Sequence, residues 1–188
     1  MARTQPPTFL FADLVGFTAF TEREGDEAAA DLALDFAATA ARAAGDHGAR
    51  VVKCLGDAVL LHVGRAADAV ELGLHVNSEW HGGGGLPRVH AGAHTGPAVE
   101  RGGDWFGAAV NLAARVCCSA RAGELLVTEA TAAAAGDLPG IELNGLGPQA
   151  FKNVARSVPV FAAQREPLPR AVPSRRRALA LVPAFDPA

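Results

Sequence analysis

The sequence predicts an α+β domain in which a split βαβ plan gives an antiparallel sheet with helices packed on one face. Three patterns lead to this fold class. An apolar run of strand length comes first, an alanine-rich stretch of helical periodicity follows, and two further apolar runs are separated only by Gly56 and Asp57. With 188 residues, 49% of them hydrophobic and 20% charged, the chain can bury one core of ordinary size.

The first two elements are a strand and a long helix. Thr8 to Val15 is apolar and rich in Phe, which is typical of a buried strand. The stretch from about Asp26 to His47 is rich in Ala and carries apolar residues four positions apart, beginning at Leu32. This spacing predicts a helix with one apolar face.

A hairpin and several later elements complete the plan. Gly56 supplies the turn geometry of the hairpin. The expectations in chain order are strands at Arg50 to Leu55 and Ala58 to Val63, a helix at Ala66 to Trp80, a strand at Leu86 to Thr95 that Ala98 to Arg101 continues, and helices at Ala108 to Ala120 and Thr131 to Ala135.

The chain is expected to divide into a domain at residues 1–164 and a flexible tail, rich in Pro and Arg, at residues 165–188. The tail carries five Arg against two acidic residues, whereas residues 1–164 carry a net charge of −6. Nucleic-acid binding requires clustered Lys and Arg, so the acidic domain argues against that function. The run Arg175 to Arg177 either stays solvated or contacts an acidic partner that the sequence does not identify.

Composition and cysteine content narrow the function classes further. No apolar run reaches the roughly 18 residues of a membrane-spanning helix, and the first residues do not resemble a signal peptide. Three Cys provide neither a disulfide framework nor paired metal ligands. His90 and His94 would stand roughly 13 Å apart on one strand, so we assign no zinc site. We expect a cytoplasmic protein without membrane contact.

Two carboxylates are expected at one edge of the sheet. In the predicted plan the first strand ends beside the hairpin turn, which brings Asp13 and Asp57 together. Adjacent carboxylates repel one another unless a cation lies between them, and Mg²⁺ or Mn²⁺ prefers oxygen ligands. Taken singly, Asp13 could instead cap the following helix, and Asp57 could serve only the turn.

Four short segments carry motifs in a fixed order between about Thr8 and Phe161. They are Phe11 to Thr18 (FADLVGFT), Lys53 to Asp57 (KCLGD), Gly92 to Pro97 (GAHTGP) and Asp104 to Arg115 (DWFGAAVNLAAR). Together they resemble the motifs of class III nucleotidyl cyclases, the adenylate and guanylate cyclase catalytic domain family, and most of all its bacterial adenylate cyclases. One Gly-Asp hairpin would be weak evidence, whereas four linked motifs argue against coincidence.

This resemblance implies the ferredoxin-like, palm-like nucleotidyl cyclase fold and a homodimer with two shared active sites. It implies conversion of ATP to 3′,5′-cyclic AMP and pyrophosphate by in-line attack of the ribose 3′-hydroxyl on the α-phosphate. Two Mg²⁺ or Mn²⁺ ions per site would assist this reaction. Each site would combine the metal-binding Asp13 and Asp57 of one chain with Lys53, Asp104, Asn111 and Arg115 of the other.

The resemblance also assigns purine recognition to Lys53 and Asp104. A Lys donor and an Asp acceptor complement N1 and N6 of adenine, whereas guanylyl cyclases of the family typically carry Glu and Cys at these places. This pair therefore favours ATP. Considered individually, Lys53 could be an exposed strand residue and Asp104 a solvated loop residue.

Three further residues are assigned to the ribose and the phosphates. Asn111 and Arg115 stand four residues apart on one helix face. By the resemblance, Asn111 orients the ribose and Arg115 stabilises charge on the α-phosphate, a task that suits a planar guanidinium. Lys152 falls where the family has a Leu-Lys-Gly triplet whose Lys meets the terminal phosphates, although Asn153 here replaces the Gly.

Two other kinds of function remain open. A nucleotide-binding or regulatory module with little turnover would keep the same fold, but such modules usually lack an aspartate or the arginine, and here every matched position is filled. A cyclase could also act on GTP or on a pyrimidine triphosphate. A diguanylate cyclase is excluded because its Gly-Gly-Asp/Glu-Glu-Phe signature is absent.

Overall fold

The computed structural model describes residues 5–80 and 83–166. The strands are β1 (Thr8–Val15), β2 (Arg50–Leu55), β3 (Ala58–Val63), β4 (Arg88–Thr95), β5 (Val99–Arg101), β6 (Asp104–Phe106), β7 (Leu125–Thr128), β8 (Ile141–Gln149) and β9 (Val158–Arg165). The helices are α1 (Phe17–Glu24), α2 (Asp26–Asp46), α3 (Ala66–Glu79), α4 (Ala108–Ser119) and α5 (Glu129–Ala135).

Seven strands of the described ranges form one sheet in the order β2-β3-β1-β4-β7-β9-β8. Neighbouring strands pair antiparallel, except that β4 and β7 are parallel. β1 lies between β3 and β4, so Asp13 near its end stands opposite Ala58 on one side and His90 on the other. The end of β1 therefore adjoins the β2–β3 turn, as the plan predicted.

Both faces of the sheet carry helices. Successive side chains of β1 point to opposite sides of the sheet, and apolar side chains on both sides are buried. Leu10 and Ala12 are fully buried in the larger core, which α2 and α3 cover. Phe9 and Phe11 point the other way and are buried in a second cluster with residues of α4. The α+β class and the nucleotidyl cyclase fold are confirmed. The expectation that all helices pack on one face is wrong, because α4 packs against Phe9 and Phe11 on the opposite face.

Most predicted elements are confirmed to within two residues, and two differ. The expected extension of β4 through Ala98 to Arg101 is wrong: β5 pairs with β6 in a separate two-stranded hairpin. Pro97 ends β4, and Gly102 and Gly103 take positive φ angles of 59° and 82° in the hairpin turn. Helix α1 is the other difference, because its short sequence gave no helical signal.

Of the tail predicted at residues 165–188, only Arg165 and Glu166 lie within the described part of the chain, so the tail stays a prediction. Arg165 forms an ion pair of 2.9 Å with Glu71. Across residues 5–80 and 83–166, no helix has both the length and the hydropathy needed to cross a membrane.

Candidate active site

Asp13 and Asp57 meet where β1 ends beside the β2–β3 turn. Gly56 takes the left-handed φ of 66° that this turn requires, and Asp57 follows it directly. Burial raises the pKa of the Asp57 carboxyl to about 6, and the negative charge of Asp13 adds to this rise. A carboxylate pair that resists full ionisation in this way is stabilised by a cation.

His90 contacts this pair from β4. Its Nε2 lies 3.2 Å from Oδ2 of Asp13, and its Nδ1 lies 2.9 Å from the carbonyl oxygen of Ala120. The hydrogen bond to Asp13 raises the pKa of His90, although burial of the ring opposes the rise. The sequence gave no signal for this contact, because it depends on the register in which β1 pairs with β4.

Lys53 and Asp104 are brought together from two different sheets. Nζ of Lys53 donates to Oδ2 of Asp104 at 2.6 Å, and the backbone N–H of Trp105 donates to Oδ1 at 2.8 Å. These hydrogen bonds hold the pKa of Asp104 below its usual range. A second ion pair, of 2.8 Å between Arg50 and Glu100, also ties the β5–β6 hairpin to β2. The hairpin therefore carries Asp104 to a fixed place beside Lys53.

Asn111 lines three cavities beside α4, and two of them also contain Lys53 or Lys152. The first, of about 490 Å³, contains the cationic side chains of Arg115 and Lys152. The second, of about 350 Å³, is bounded by Lys53 and by Phe106, whose aromatic ring suits a flat base. The two cavities thus offer an aromatic end with a Lys donor and a cationic end that suits phosphates.

The turn that presents Lys152 explains one departure from the family pattern. Asn153 adopts a left-handed φ of 62°, and the N–H of Val154 donates to the carbonyl oxygen of Phe151 at 3.1 Å. Gly takes a left-handed conformation without strain, and Asn is among the residues that tolerate it best. Asn153 can therefore replace Gly and keep the turn that points Lys152 to the first cavity.

The predicted site residues fall into two groups in the single chain. Neither Asp13 nor Asp57 lines either of these cavities. The other group consists of Lys53, Asp104, Asn111, Arg115 and Lys152, of which all but Asp104 line one cavity or both. The chain thus has a carboxylate edge and a groove, formed by the two cavities along α4, that the second group of residues lines.

Comparison with known proteins places this geometry in context. No protein-family model matches the chain. The chain is 35% identical over 161 residues to the pH-sensitive adenylate cyclase MT1302 of Mycobacterium tuberculosis, a match that covers 84% of this chain and 40% of that protein. The chain therefore spans less than half the length of this relative.

Two solved structures share the fold. The adenylyl cyclase CyaB from P. aeruginosa superimposes with a TM-score of 0.74 at 24% identity, over 87% of this chain and 96% of CyaB. The guanylate cyclase domain of RhGC from Catenaria anguillulae, solved in complex with GTP, gives a TM-score of 0.68 at 19% identity, over 87% of this chain and 98% of that domain. The fold therefore occurs both in an adenylyl cyclase and in a guanylate cyclase domain.

Proposed function

Because this chain belongs to the class III adenylate and guanylate cyclase catalytic domain family, we propose that it converts ATP to 3′,5′-cyclic AMP and pyrophosphate. One observation carries the proposal. Asn111 joins a cavity that Lys53 borders to a cavity that contains Arg115 and Lys152, in the order in which ATP presents its base, ribose and phosphates.

The Lys53–Asp104 pair supports the choice of ATP. With its partner 2.6 Å away, the ammonium group of Lys53 is held beside the aromatic cavity, where it can donate to N1 of adenine. Asp104 is an acceptor for the N6 amino group. Guanine reverses this pattern, so it would leave a donor facing a donor, and such mismatches discriminate once the bound base excludes water from the pair.

The cationic end of the groove supports a phosphoryl reaction. Arg115 offers several N–H donors to the α-phosphate, on which negative charge builds as the ribose 3′-hydroxyl attacks. Lys152 faces the same cavity and would hold the terminal phosphates. Asn111, one helical turn before Arg115, would orient the ribose for in-line attack, so the residues act by positioning and charge stabilisation.

The carboxylate edge fits a hard divalent cation. Asp13 and Asp57 provide oxygen donors. Burial, and after it the charge of Asp13, raises the pKa of Asp57, and a cation would stabilise the ionised pair. When bound there, Mg²⁺ or Mn²⁺ would lower the pKa of the 3′-hydroxyl and offset charge on the leaving pyrophosphate.

The proposal includes a two-fold homodimer, which the family implies and which the division of the site residues into two groups supports. Since the aspartates line neither cavity of their own chain, the proposal takes them from one protomer and the groove residues from its partner. A two-fold axis then generates two equivalent sites.

The test is incubation of the purified chain with ATP, GTP, CTP or UTP and either Mg²⁺ or Mn²⁺, with chromatographic separation of the products. We expect cyclic AMP from ATP. Cyclic GMP as the main product would contradict the role given to Lys53 and Asp104. Nucleotide binding without any cyclic product would instead identify a regulatory module.

A further inference from the structure

His90 is a buried, polar neighbour of Asp13 that the proposed mechanism does not use. The residue is 9% exposed, and it stands directly across from Asp13 in the pairing of β1 with β4. Its ring links two elements of the site, since Nε2 meets the carboxylate at the end of β1 and Nδ1 meets the carbonyl oxygen of Ala120, the residue that follows α4.

Both oxygens of the Asp13 carboxylate have a donor within the chain. Oδ1 accepts the backbone N–H of Leu14 at 3.0 Å, and Oδ2 lies 3.2 Å from Nε2 of His90. Two donors on opposite oxygens fix the plane of a carboxylate, because rotation about its last bond would break both contacts. The carboxylate also hydrogen-bonds to the side chain of Asp57, so its fixed plane keeps the two carboxyl groups side by side.

His90 is itself held in place at its other nitrogen. The carbonyl of Ala120 belongs to the end of a helix, where backbone acceptors lack partners within the helix. Both this carbonyl and the Asp13 carboxylate are acceptors, so each ring nitrogen of His90 faces an acceptor of the chain, and the nitrogen that carries the proton donates. The ring is thus held between Ala120 and Asp13, where it can orient the carboxylate.

We propose that His90 is a positioning residue for metal binding: it holds the Asp13 carboxylate in the orientation that receives the divalent cation. The inference rests on the proposed function, because it takes Asp13 as a metal-binding residue. Hydrogen-bond partners of this kind typically change metal affinity or activity by 10–100-fold when they are removed.

Two amide substitutions separate orientation of Asp13 from simple packing. In His90→Gln the amide nitrogen reaches about as far as Nε2 and keeps a donor for Asp13. In His90→Asn the amide reaches only about as far as Nδ1, so it keeps the contact to Ala120 and loses Asp13. His90→Leu removes both donors and keeps an apolar side chain of moderate size. His75→Gln is the matched control, because His75 lies on α3 and contacts His47 at 3.1 Å.

The readout is Mn²⁺ binding, measured from the electron paramagnetic resonance signal of free Mn²⁺ in the presence of 3′-deoxy-ATP, which lacks the attacking hydroxyl. We expect His90→Asn and His90→Leu to weaken Mn²⁺ binding by about 10–100-fold. His90→Gln should keep most of the affinity, and His75→Gln should bind like wild type. Thermal unfolding without metal reports separately on the fold of each variant.

The outcomes separate this inference from the proposed function. Equal Mn²⁺ affinity in wild type and His90→Asn would overturn it, and so would equal losses in His90→Gln and His90→Asn that follow their melting temperatures. If wild type binds Mn²⁺ with the expected ranking but forms no cyclic nucleotide from any triphosphate, the role of His90 stands and the cyclase proposal fails. If wild type forms cyclic AMP and the His90 variants bind Mn²⁺ equally, only the inference about His90 fails.

Discussion

Replacing Asp57 by Asn should separate stability from catalysis, because it removes one of two crowded carboxylates. In the metal-free protein, burial and the charge of Asp13 raise the pKa of Asp57 from 3.8 to about 6, so ionisation at neutral pH opposes folding. The whole shift corresponds to roughly 3 kcal/mol. Since Asp57 is partly exposed, solvent screening reduces this to about 1 kcal/mol, the gain in stability that we expect for the variant.

The pH dependence of this gain has a definite sign. A carboxyl whose pKa is raised by folding holds its proton more tightly in the folded state, so the stability it contributes is present at low pH and lost as pH rises. The loss falls between the two pKa values, 3.8 and about 6. The advantage of Asp57→Asn should therefore be small near pH 4, grow across that window and remain constant above about pH 6.

The assay is urea unfolding of both proteins from pH 4 to pH 7 in the presence of a chelator, followed by turnover with Mn²⁺. The variant should lose about 100-fold or more in activity, because one charged metal ligand is gone. Asp35→Asn, at an exposed position on α2, is the matched control and should change neither quantity. A variant that is less stable than wild type without metal, or that keeps near full activity, would refute the account of Asp57.

Two further variants test the groove and the packing behind it. The double change Lys53→Glu with Asp104→Cys should reduce kcat/KM for ATP far more than for GTP, by about 100-fold or more in ratio, and equal losses for both nucleotides would contradict the base assignment. In Gly92→Ala the new Cβ would stand 2.1 Å from the backbone nitrogen of Cys117, so urea unfolding should show destabilisation of about 3 kcal/mol. The control Gly45→Ala has open space around its Cβ and should be neutral or stabilising. Wild-type stability in Gly92→Ala would mean that β4 and α4 are not packed this closely.

Elements with a strong local pattern were predicted well from the sequence. The β2–β3 hairpin is confirmed residue for residue, since two apolar runs of strand length flank Gly56, which takes the required positive φ. Helix α1 was missed because it is short and buries only Phe20, so it has no repeating apolar stripe. The β5–β6 hairpin had a readable signal in Gly102 and Gly103, which the expected continuation of β4 overlooked.

For the site as well, contacts that follow from chain direction were predicted, and contacts that depend on the register between distant strands were not. Chain direction in the predicted sheet indicated that Asp13 and Asp57 lie together, and they do in the structure. Their role in metal binding stays a prediction. His90 could not be assigned because its contact with Asp13 depends on the register between strands that are distant in sequence. The packing of helices on both faces was missed for a similar reason, since it depends on contacts of Phe9 and Phe11 with α4, which is distant in sequence.

The central claim is a site shared between two chains, and mixing two inactive variants tests it most directly. Asp13→Ala should disable the carboxylate edge and Arg115→Ala the groove, so each homodimer should be nearly inactive. A mixed dimer pairs the intact edge of one chain with the intact groove of the other, while its second site receives both lesions. With equal co-expression and random pairing, about half of the dimers are mixed and half of their sites work. The account predicts recovery of roughly a quarter of wild-type activity. No recovery in mixed dimers verified with two different tags would contradict a shared site built from these residues.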